Sequence, residues 1–394
     1  MVNRIYIWLS TGVAVLVLTS MAGAQDKSTA SALQYRTSRE AQQTIGRIPG
    51  QFPKAEREKP QDVALPEFKC HEPLFVRWST TMVKGGSLWI ALDRSRTSSG
   101  YDRLYIDSNA DGNLKDEIPI EAYRTEQQHA YFGPLKVTFP GKNGPIAYHL
   151  NSRLCDHGTR AMLMTPAGWY EGTITVGQAR MHCLLIDYNV NGTFDDRSVN
   201  FNECDRIQIG GKGDQNTRFV GNYIEVGGAL YRLQVARDGA YVKVTAAEDV
   251  TLGNVRLPET ISGFAAGGEN GLFIAKPQKG TVSLPVGQYR IDHWAIERRD
   301  DSGINWKVQG SQFSDKGLFS VTEGEETELS IGEPISSTLD IQDRGGVHYF
   351  RHDLKGKLEE AIQITRNGER IPAPNLHIKN KDGRYDQTFS FRYG

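Results

Sequence analysis

Two short segments of the chain place oxygen-bearing side chains on alternate residues just before a glycine. Each has such side chains at positions 1, 3 and 5, a glycine at position 6 and a residue at 7 whose main-chain carbonyl is available. Acids follow at positions 10 and 11 in the first loop and at 9 and 10 in the second. Calcium takes roughly six to eight oxygen ligands, and a glycine lets a loop turn sharply around it. The pattern therefore predicts two calcium sites. Their candidate ligands are Asp107, Asn109, Asp111, Asn113 and Asp116 or Glu117 in the first loop, and Asp187, Asn189, Asn191, Thr193 and Asp195 or Asp196 in the second.

The two loops align without a gap. Residues 104–117 match residues 184–197 at an offset of 80 residues. That spacing is long enough for each copy to be a small β-unit, so residues 67–218 are interpreted as a tandem duplication. The first loop carries more carboxylates, which predicts that it binds calcium more tightly.

The D-x-[DN]-x-[DN]-G pattern resembles the calcium loops of EF-hand and dockerin proteins. Two features depart from the EF-hand. Position 12 is Ile118 in one loop and Ser198 in the other, and the residues leading into each loop are β-formers. The resemblance therefore implies a strand–loop variant in which an acid at position 10 or 11 replaces the missing glutamate. An ion-free Asp/Asn/Gly hairpin turn is the alternative, since these residues also favour turns.

The amino terminus predicts export. Arg4 precedes an apolar stretch over 12–18, and Ala22-Gly23-Ala24 forms a small-x-small cleavage site before Gln25. We expect residues 1–24 to be a signal peptide and the protein to be secreted or periplasmic, without a membrane span after cleavage. A retained anchor is the alternative. A net charge of −1 gives no electrostatic case for binding nucleic acid or an anionic membrane.

Four cysteines in an exported chain suggest two disulfides. Cys183 and Cys204 flank the second loop and are predicted to pair, which leaves Cys70 with Cys155. A zinc site is the alternative, because histidines lie next to or near three of these thiols in the sequence. The four cysteines include no C-x-x-C pair, the spacing that usually marks such sites.

The pattern of apolar residues along the chain predicts a mostly β fold. Short apolar runs alternate with glycine-containing turns, as at 74–78, 88–92 and 104–106. Residues 284–291 (LPVGQYRI) resemble the closing segment of prealbumin-like β-sandwiches. The predicted organisation is a polar linker at 25–66, β-units with calcium loops at 67–140 and 141–218, a hairpin connector at 219–253, a prealbumin- or Ig-like β-sandwich at 254–330 and a C-terminal one at 331–394.

No catalytic motif stands out. The histidines form no H-E-x-x-H pair, and no serine lies in G-x-S-x-G. The glycine-rich segment 210–214 lacks Walker spacing and is predicted to be a loop. Trp169, Tyr170, Trp294 and Trp306 are suited to stacking on sugars, although core packing is the more common role of such side chains. Carboxylate pairs for glycoside hydrolysis depend on a spatial separation that sequence does not show.

These observations predict a secreted, non-catalytic, calcium-binding modular β-protein. Its binding partner would be a polymer or a protein of the cell envelope or of the extracellular space. One alternative is a polysaccharide hydrolase whose calcium is structural. Another is a dockerin-like docking module.

Overall fold

The computed structural model describes residues 30–96, 100–142, 144–214 and 216–392. Most of these residues lie in antiparallel β-sheets, which confirms the predicted mostly β class. No helix in the described ranges is long and apolar enough to cross a bilayer. The predicted signal peptide lies outside the described residues.

Residues 30–66 pack into the protein, whereas the sequence predicted a polar linker. Leu33, Ala41, Ile45, Ile48 and Ala55 are all buried in the main hydrophobic core. Because these apolar residues are scattered among polar ones, they gave no recognisable period. The elements here are β1 (Ser31–Ala32), β2 (Gln34–Thr37), α1 (Ala41–Ile45) and β3 (Ala55–Glu56).

The strands before the first loop are those that the apolar runs predicted. Strand β3 begins a five-stranded sheet that continues through β4, β5, β6 and β7. Strand β8 lies at the edge of a four-stranded sheet, next to β9. The strands are β4 (Leu74–Ser79), β5 (Ser87–Asp93), β6 (Arg103–Ile106), β7 (Ile120–Glu121), β8 (Arg124–Glu126) and β9 (His129–Phe139).

The second loop belongs to another five-stranded sheet, ordered β15-β14-β13-β12-β2. The sheet of β8 and β9 is completed by β10 and β11. The strands are β10 (Ile146–Cys155), β11 (Ala161–Pro166), β12 (Gly168–Val176), β13 (Ala179–Ile186), β14 (Arg206–Gly210) and β15 (Thr217–Phe219).

One hydrophobic core joins both loop-bearing sheets. It runs from Leu33 to Val242 along the chain and includes Trp78, Tyr148 and Leu185. Strand β1 joins the hairpin region to form the sheet β1-β18-β17-β16, and the chain turns at Asp238-Gly239 between β17 and β18. The strands here are β16 (Tyr223–Val226), β17 (Ala229–Val235) and β18 (Tyr241–Ala246).

A second core covers the region from Val255 to Ile331 and contains Trp294 and Tyr289. The Tyr289 hydroxyl donates to the Pro285 carbonyl at 2.7 Å and so ties β23 to the end of β22. The elements are β19 (Leu252–Arg256), β20 (Gly263–Gly268), β21 (Gly271–Ala275), β22 (Thr281–Pro285), β23 (Gly287–Arg299), β24 (Asn305–Ser311), the 3₁₀ turn Asp315–Gly317, β25 (Leu318–Val321) and β26 (Glu326–Glu328).

Beyond Ile331 the strands extend the preceding sheet, whereas the sequence predicted a separate C-terminal sandwich. The long sheet is ordered β21-β20-β23-β24-β29-β28-β27, and β31 pairs with β32. Glu360 is the one buried side chain among the described residues after Gly332, so this part has no core of its own there. The strands are β27 (Ser336–Arg344), β28 (Val347–Lys355), β29 (Ala361–Arg366), β30 (Glu369–Arg370), β31 (Asn375–Lys379) and β32 (Asp386–Ser390).

All four cysteines are free thiols, so the predicted bonds Cys183–Cys204 and Cys70–Cys155 are not present. Cys183 lies within β13, where its cross-strand neighbours are Gly172 and Ile209. The Cys204 thiol instead donates to the Ser198 carbonyl at 2.8 Å. The main chain at Cys70 is bound to Asp93, and Cys155 pairs across the sheet with His129 and Ala161. The prediction of disulfides rested on the even number of cysteines, which does not reveal the residues that surround each thiol in the fold.

We expect alkylation of the unreduced, unfolded protein to add four labels. In the native protein Cys70 should react first, because Cys183 and Cys204 have no exposed surface. Burial also raises the pKa of the Cys183 thiol to about 12, which makes the reactive thiolate scarce. Mass spectrometry of timed labelling checks this order. A chain that takes up only two labels, or none, would show that disulfides form.

Candidate calcium loops

Both loops leave a buried strand and return as its antiparallel neighbour. Strand β6 ends at Ile106 and β13 ends at Ile186, each one residue before the first aspartate. The chain comes back as β7, which pairs Leu104 with Ile120, and as β14, which pairs Leu185 with Ile207. Strand ends in the core therefore fix where each loop begins.

In the first loop the Asp107 carboxylate organises the main chain. Its two oxygens accept the N–H groups of Asp111 and Gly112 at 3.0 and 2.9 Å. Asn109 Oδ1 accepts the Asp111 N–H at 3.1 Å, and Asp111 Oδ1 accepts the N–H of Asn113 at 2.9 Å. The alternate oxygens thus converge on one turn, with Asp107 only 2% exposed.

The second loop repeats these bonds at the aligned positions. Asp187 accepts the N–H groups of Asn191 and Gly192 at 3.2 and 2.7 Å. Asn189 Oδ1 accepts the Asn191 N–H at 3.2 Å, and Asn191 Oδ1 accepts the N–H of Thr193 at 2.8 Å. Asp187 has no exposed surface. The alignment of the two loops in the sequence is therefore matched by their hydrogen bonds.

The acid that closes the first loop is Glu117. Its carboxylate accepts the main-chain N–H of Ser108 at 2.6 Å and the Ser108 hydroxyl at 2.8 Å. Asp116, the other candidate, is exposed to solvent. Of the two acids that the sequence left open, the structure brings Glu117 onto the loop.

Asp196 closes the second loop. Its Oδ2 accepts from the side chains of Asn189, Asn191 and Thr193, at 3.0, 2.7 and 2.7 Å. Asp195, the other candidate, has a pKa that is raised by burial. The positive charges of Arg237 and Arg197 lower this pKa and so offset part of the effect.

Asp205 also reaches the second loop, although it lies outside the loop pattern that predicted the other residues. Its carboxylate accepts the main-chain N–H of Tyr188 at 3.0 Å and that of Asp196 at 2.9 Å. It lies nine positions after Asp196, immediately before β14, so no loop periodicity marks it. Its one sequence signal is that it directly precedes a segment of alternating polar and apolar residues, 206–209.

Two carboxylates at the second loop, those of Asp187 and Asp205, have no exposed surface, and the charge of Asp196 acts on both. Burial, with the neighbouring Asp196 charge, raises the pKa of Asp187 to about 7. Burial and the charges of Asp187 and Asp196 raise the pKa of Asp205 well above its usual range. In the first loop, burial raises the pKa of Asp107 and of Glu117. When these carboxylates are ionised, hydrogen-bond donors or positive charges must replace the hydration that burial removes.

Side chains from the amino-terminal half hold the second loop in place. Trp78 Nε1 donates to the Val190 carbonyl at 2.7 Å, and Gln51 Nε2 donates to the same oxygen at 2.9 Å. The Thr80 hydroxyl donates to the Asn191 carbonyl at 2.6 Å. Val190 has a φ of 57°, which is unusual for a β-branched residue. These bonds offset the cost of that conformation.

The donor set fits a hard cation, since each loop offers carboxylate, amide and main-chain oxygens. In the described ranges no group of three or more His, Cys, Asp or Glu side chains has the arrangement of a formed metal site. The acids here divide their oxygens among backbone N–H groups and asparagine amides. If the loops bind calcium, the amide and carbonyl oxygens must supply much of the coordination.

The aromatic candidates occupy different environments. Trp294 has no exposed surface and donates its Nε1–H to the buried Glu360 at 2.8 Å, which places it in the second core. Trp169 and Tyr170 are buried in the main core. Trp306 is only partly buried and donates to Asp300 in the neighbouring turn at 2.9 Å. Three of the four therefore pack inside the protein.

Comparisons of the chain with protein-family models, with curated proteins and with solved structures gave no match.

Trp78→Phe tests how the second loop is held. We expect the free energy of unfolding to fall by about 0.5–1.5 kcal/mol, because the buried Val190 carbonyl loses one of its two donors and keeps Gln51. Trp89→Phe is the matched control, since Trp89 packs with a separate small cluster on the same sheet. Urea denaturation of both variants checks this. Equal losses in the two would mean that the indole bond to Val190 contributes little.

Proposed function

We propose that the chain is an exported, calcium-binding β-protein whose ions stabilise the core between Leu33 and Val242. One observation carries the proposal: two aligned loops fold their oxygen side chains around the same turn, each built on a buried aspartate. The predicted cleavage after Ala24 supports export. Extracellular calcium is abundant enough to fill sites of modest affinity.

The finer architecture is part of this proposal. The strand–loop–strand units around Asp107 and Asp187 are two copies of one motif, since each inserts its loop between antiparallel neighbours. The region from Val255 to Ile331 is a small sandwich, because its two sheets share one core and Tyr289 bridges a strand turn as in immunoglobulin-like corners. The two copies share one core and do not form separate ones.

Calcium would act here by neutralising charge. Without a cation, the buried carboxylates repel one another and oppose closure of the loop. With it, the ends of β6 and β13 are fixed against their return strands. The stabilisation is RT ln(1 + [L]/Kd), or about 2.7 kcal/mol when calcium exceeds Kd a hundredfold.

The role that follows is non-catalytic, as a component of the cell envelope or extracellular matrix that binds a polymer or protein. The dockerin-like alternative loses support, because β6 and β13 precede the loops where dockerins would have helices. A structural calcium in a polysaccharide hydrolase would use the same loops. Assays on extracellular polysaccharides separate these roles, since turnover would favour the hydrolase.

Replacing Asp107 and Asp111 by alanine should remove calcium binding at the first loop. The melting temperature should fall more in calcium than in chelator, because the contribution of the ion is lost in addition to the main-chain hydrogen bonds that Asp107 accepts. Asp382→Ala is the control, since Asp382 lies in a hairpin turn without the repeated oxygen pattern. Titration calorimetry and thermal unfolding measure both effects. A wild-type protein that binds no calcium would refute the proposal.

Hydrogen exchange with and without chelator locates the effect. We expect chelation to reduce protection at 103–106 and 184–186, the strand ends that enter the loops, far more than at 281–299 in the second core. An equal loss in both cores would mean that the ion has a different structural role.

A further inference from the structure

The sheet made of β8, β9, β10 and β11 has one face in the main core and one face toward solvent. Ala130, Leu154 and Met162 lie opposite one another across β9, β10 and β11, and all three are buried. Because side chains alternate between the two faces along a strand, their neighbours in sequence project outward. Tyr131 and Arg153 are two of these neighbours, and both are partly exposed. This outward face belongs to a sheet that contains neither candidate calcium loop.

One row of outward side chains crosses this sheet. Arg124 of β8 lies opposite Tyr131 of β9. Tyr131 in turn lies opposite Arg153 of β10, which lies opposite Leu163 of β11. Residues that face each other across antiparallel strands project from the same side of the sheet. The row therefore places a tyrosine between two arginines.

The row continues beyond β11, because the chain before β3 runs antiparallel beside that strand. Two bridges, from Gln51 to Met164 and from Lys54 to Ala161, share one register. That register places Phe52 opposite the β11 end of the row, and Phe52 is 59% exposed. From Arg124 to Phe52 the row crosses four strand spacings of about 4.8 Å, or about 19 Å in all.

Rings and guanidinium groups also stack on one another at the β8 edge. The guanidinium carbon of Arg124 lies 3.9 Å from the centre of the Tyr131 ring. The Tyr131 ring lies 6.3 Å from that of Tyr123, and Arg39 lies 4.0 Å from the centre of the Tyr123 ring. Tyr123 is 44% exposed. Stacking fixes the positions of these guanidinium groups and leaves their N–H edges able to donate.

Positive charge exceeds negative charge on this face, although the whole chain has a net charge of −1. Arg124 is paired with Glu126 at 3.3 Å. Arg39 donates to the Gly133 carbonyl at 3.2 Å, and in the described part of the chain neither Arg39 nor Arg153 forms an ion pair. The Arg153 Nε atom is buried and has no hydrogen-bond partner among the described residues. A partly buried guanidinium without a partner is suited to an anion from solution.

We propose that this face binds an acidic polysaccharide whose carboxylate-bearing sugars lie along the row from Arg124 to Phe52. The planar guanidinium group matches a carboxylate, and aromatic rings offer an apolar surface on which a sugar ring can pack. The inference rests on the proposed binding role and names its ligand. A straight row suits an extended, repeating ligand, whereas a folded acidic protein would need a broad complementary surface.

Titration calorimetry of the full exported chain with oligomers of polygalacturonate tests this inference. The same oligomers with their carboxyl groups reduced to alcohols are the matched neutral ligand. Both titrations are run in chelator, so that calcium does not bridge the acidic chains. We expect the acidic oligomers to bind at least about tenfold more tightly than the neutral ones. Their affinity should fall as salt is added, because salt screens exposed charges.

Two variants locate the binding face. Arg153→Gln should weaken binding of the acidic oligomers by about tenfold, because it removes an unpaired charge, and Phe52→Ala should weaken it by about fivefold. Arg298→Gln is the matched control and should change the affinity by less than about twofold. Arg298 also lies opposite an aromatic residue, Trp306, but it lies on β23 and is paired with Glu333. Because Phe52 is exposed, its replacement should leave the urea midpoint unchanged even if Arg153→Gln is less stable.

Equal binding of the acidic and neutral oligomers overturns the inference, and so does an unchanged affinity in Phe52→Ala and Arg153→Gln. Equally tight binding of poly-glutamate would also overturn it, because the face would then recognise an acidic polypeptide as readily as a sugar. These results leave the proposed stabilisation by calcium intact. A wild type that binds no calcium refutes that stabilisation, and it does not alter titrations that are run in chelator.

Discussion

A carboxylate that is removed from water must be met by hydrogen-bond donors, by a cation or by both. Asp187 lies under this constraint at the end of β13, and the surrounding chain is shaped by it. Its oxygens draw the N–H groups of Asn191 and Gly192 inward, which reverses the chain and allows β14 to pair with β13. Asp107 does the same between β6 and β7. The hairpin pairing and the loop charge thus depend on one group in each copy.

The segment after the second loop links the two cores. The Arg290 guanidinium donates to the Val199 carbonyl at 3.2 Å, and the Asn222 amide donates to Asn270 at 2.9 Å. Gly267 has no room for a side chain, because Phe219 and Phe201 lie where its Cβ would be. A change in the second loop therefore acts on a chain segment that already contacts the second core. The first loop is instead anchored to β9 of the main core, where the Ser108 carbonyl accepts the N–H of Thr138.

Sequence patterns predicted what depends on short-range regularity. The strands at 74–78, 88–92 and 104–106 follow from apolar runs, and the loops follow from alternate oxygens before Gly112 and Gly192. What the sequence did not show depends on contacts between distant residues. Asp205 reaches Tyr188 only because β14 returns beside β13, and Trp78 reaches Val190 only because two sheets share a core. The choice of Glu117 over Asp116, and the free thiols, likewise depend on side-chain direction. The buried residues of 30–66 were hidden by their polar neighbours.

The C-terminal part carries a different constraint, which concerns solubility. Strand β27 ends the long sheet within the described chain, and all nine of its residues are exposed. Leu339 and Ile341 are about half exposed there, so this edge offers both apolar surface and unpaired backbone groups. Such an edge is a template on which a second copy can add a strand. Asp340, Asp343 and Arg344 place charges along it, and these charges oppose strand addition between molecules at high concentration.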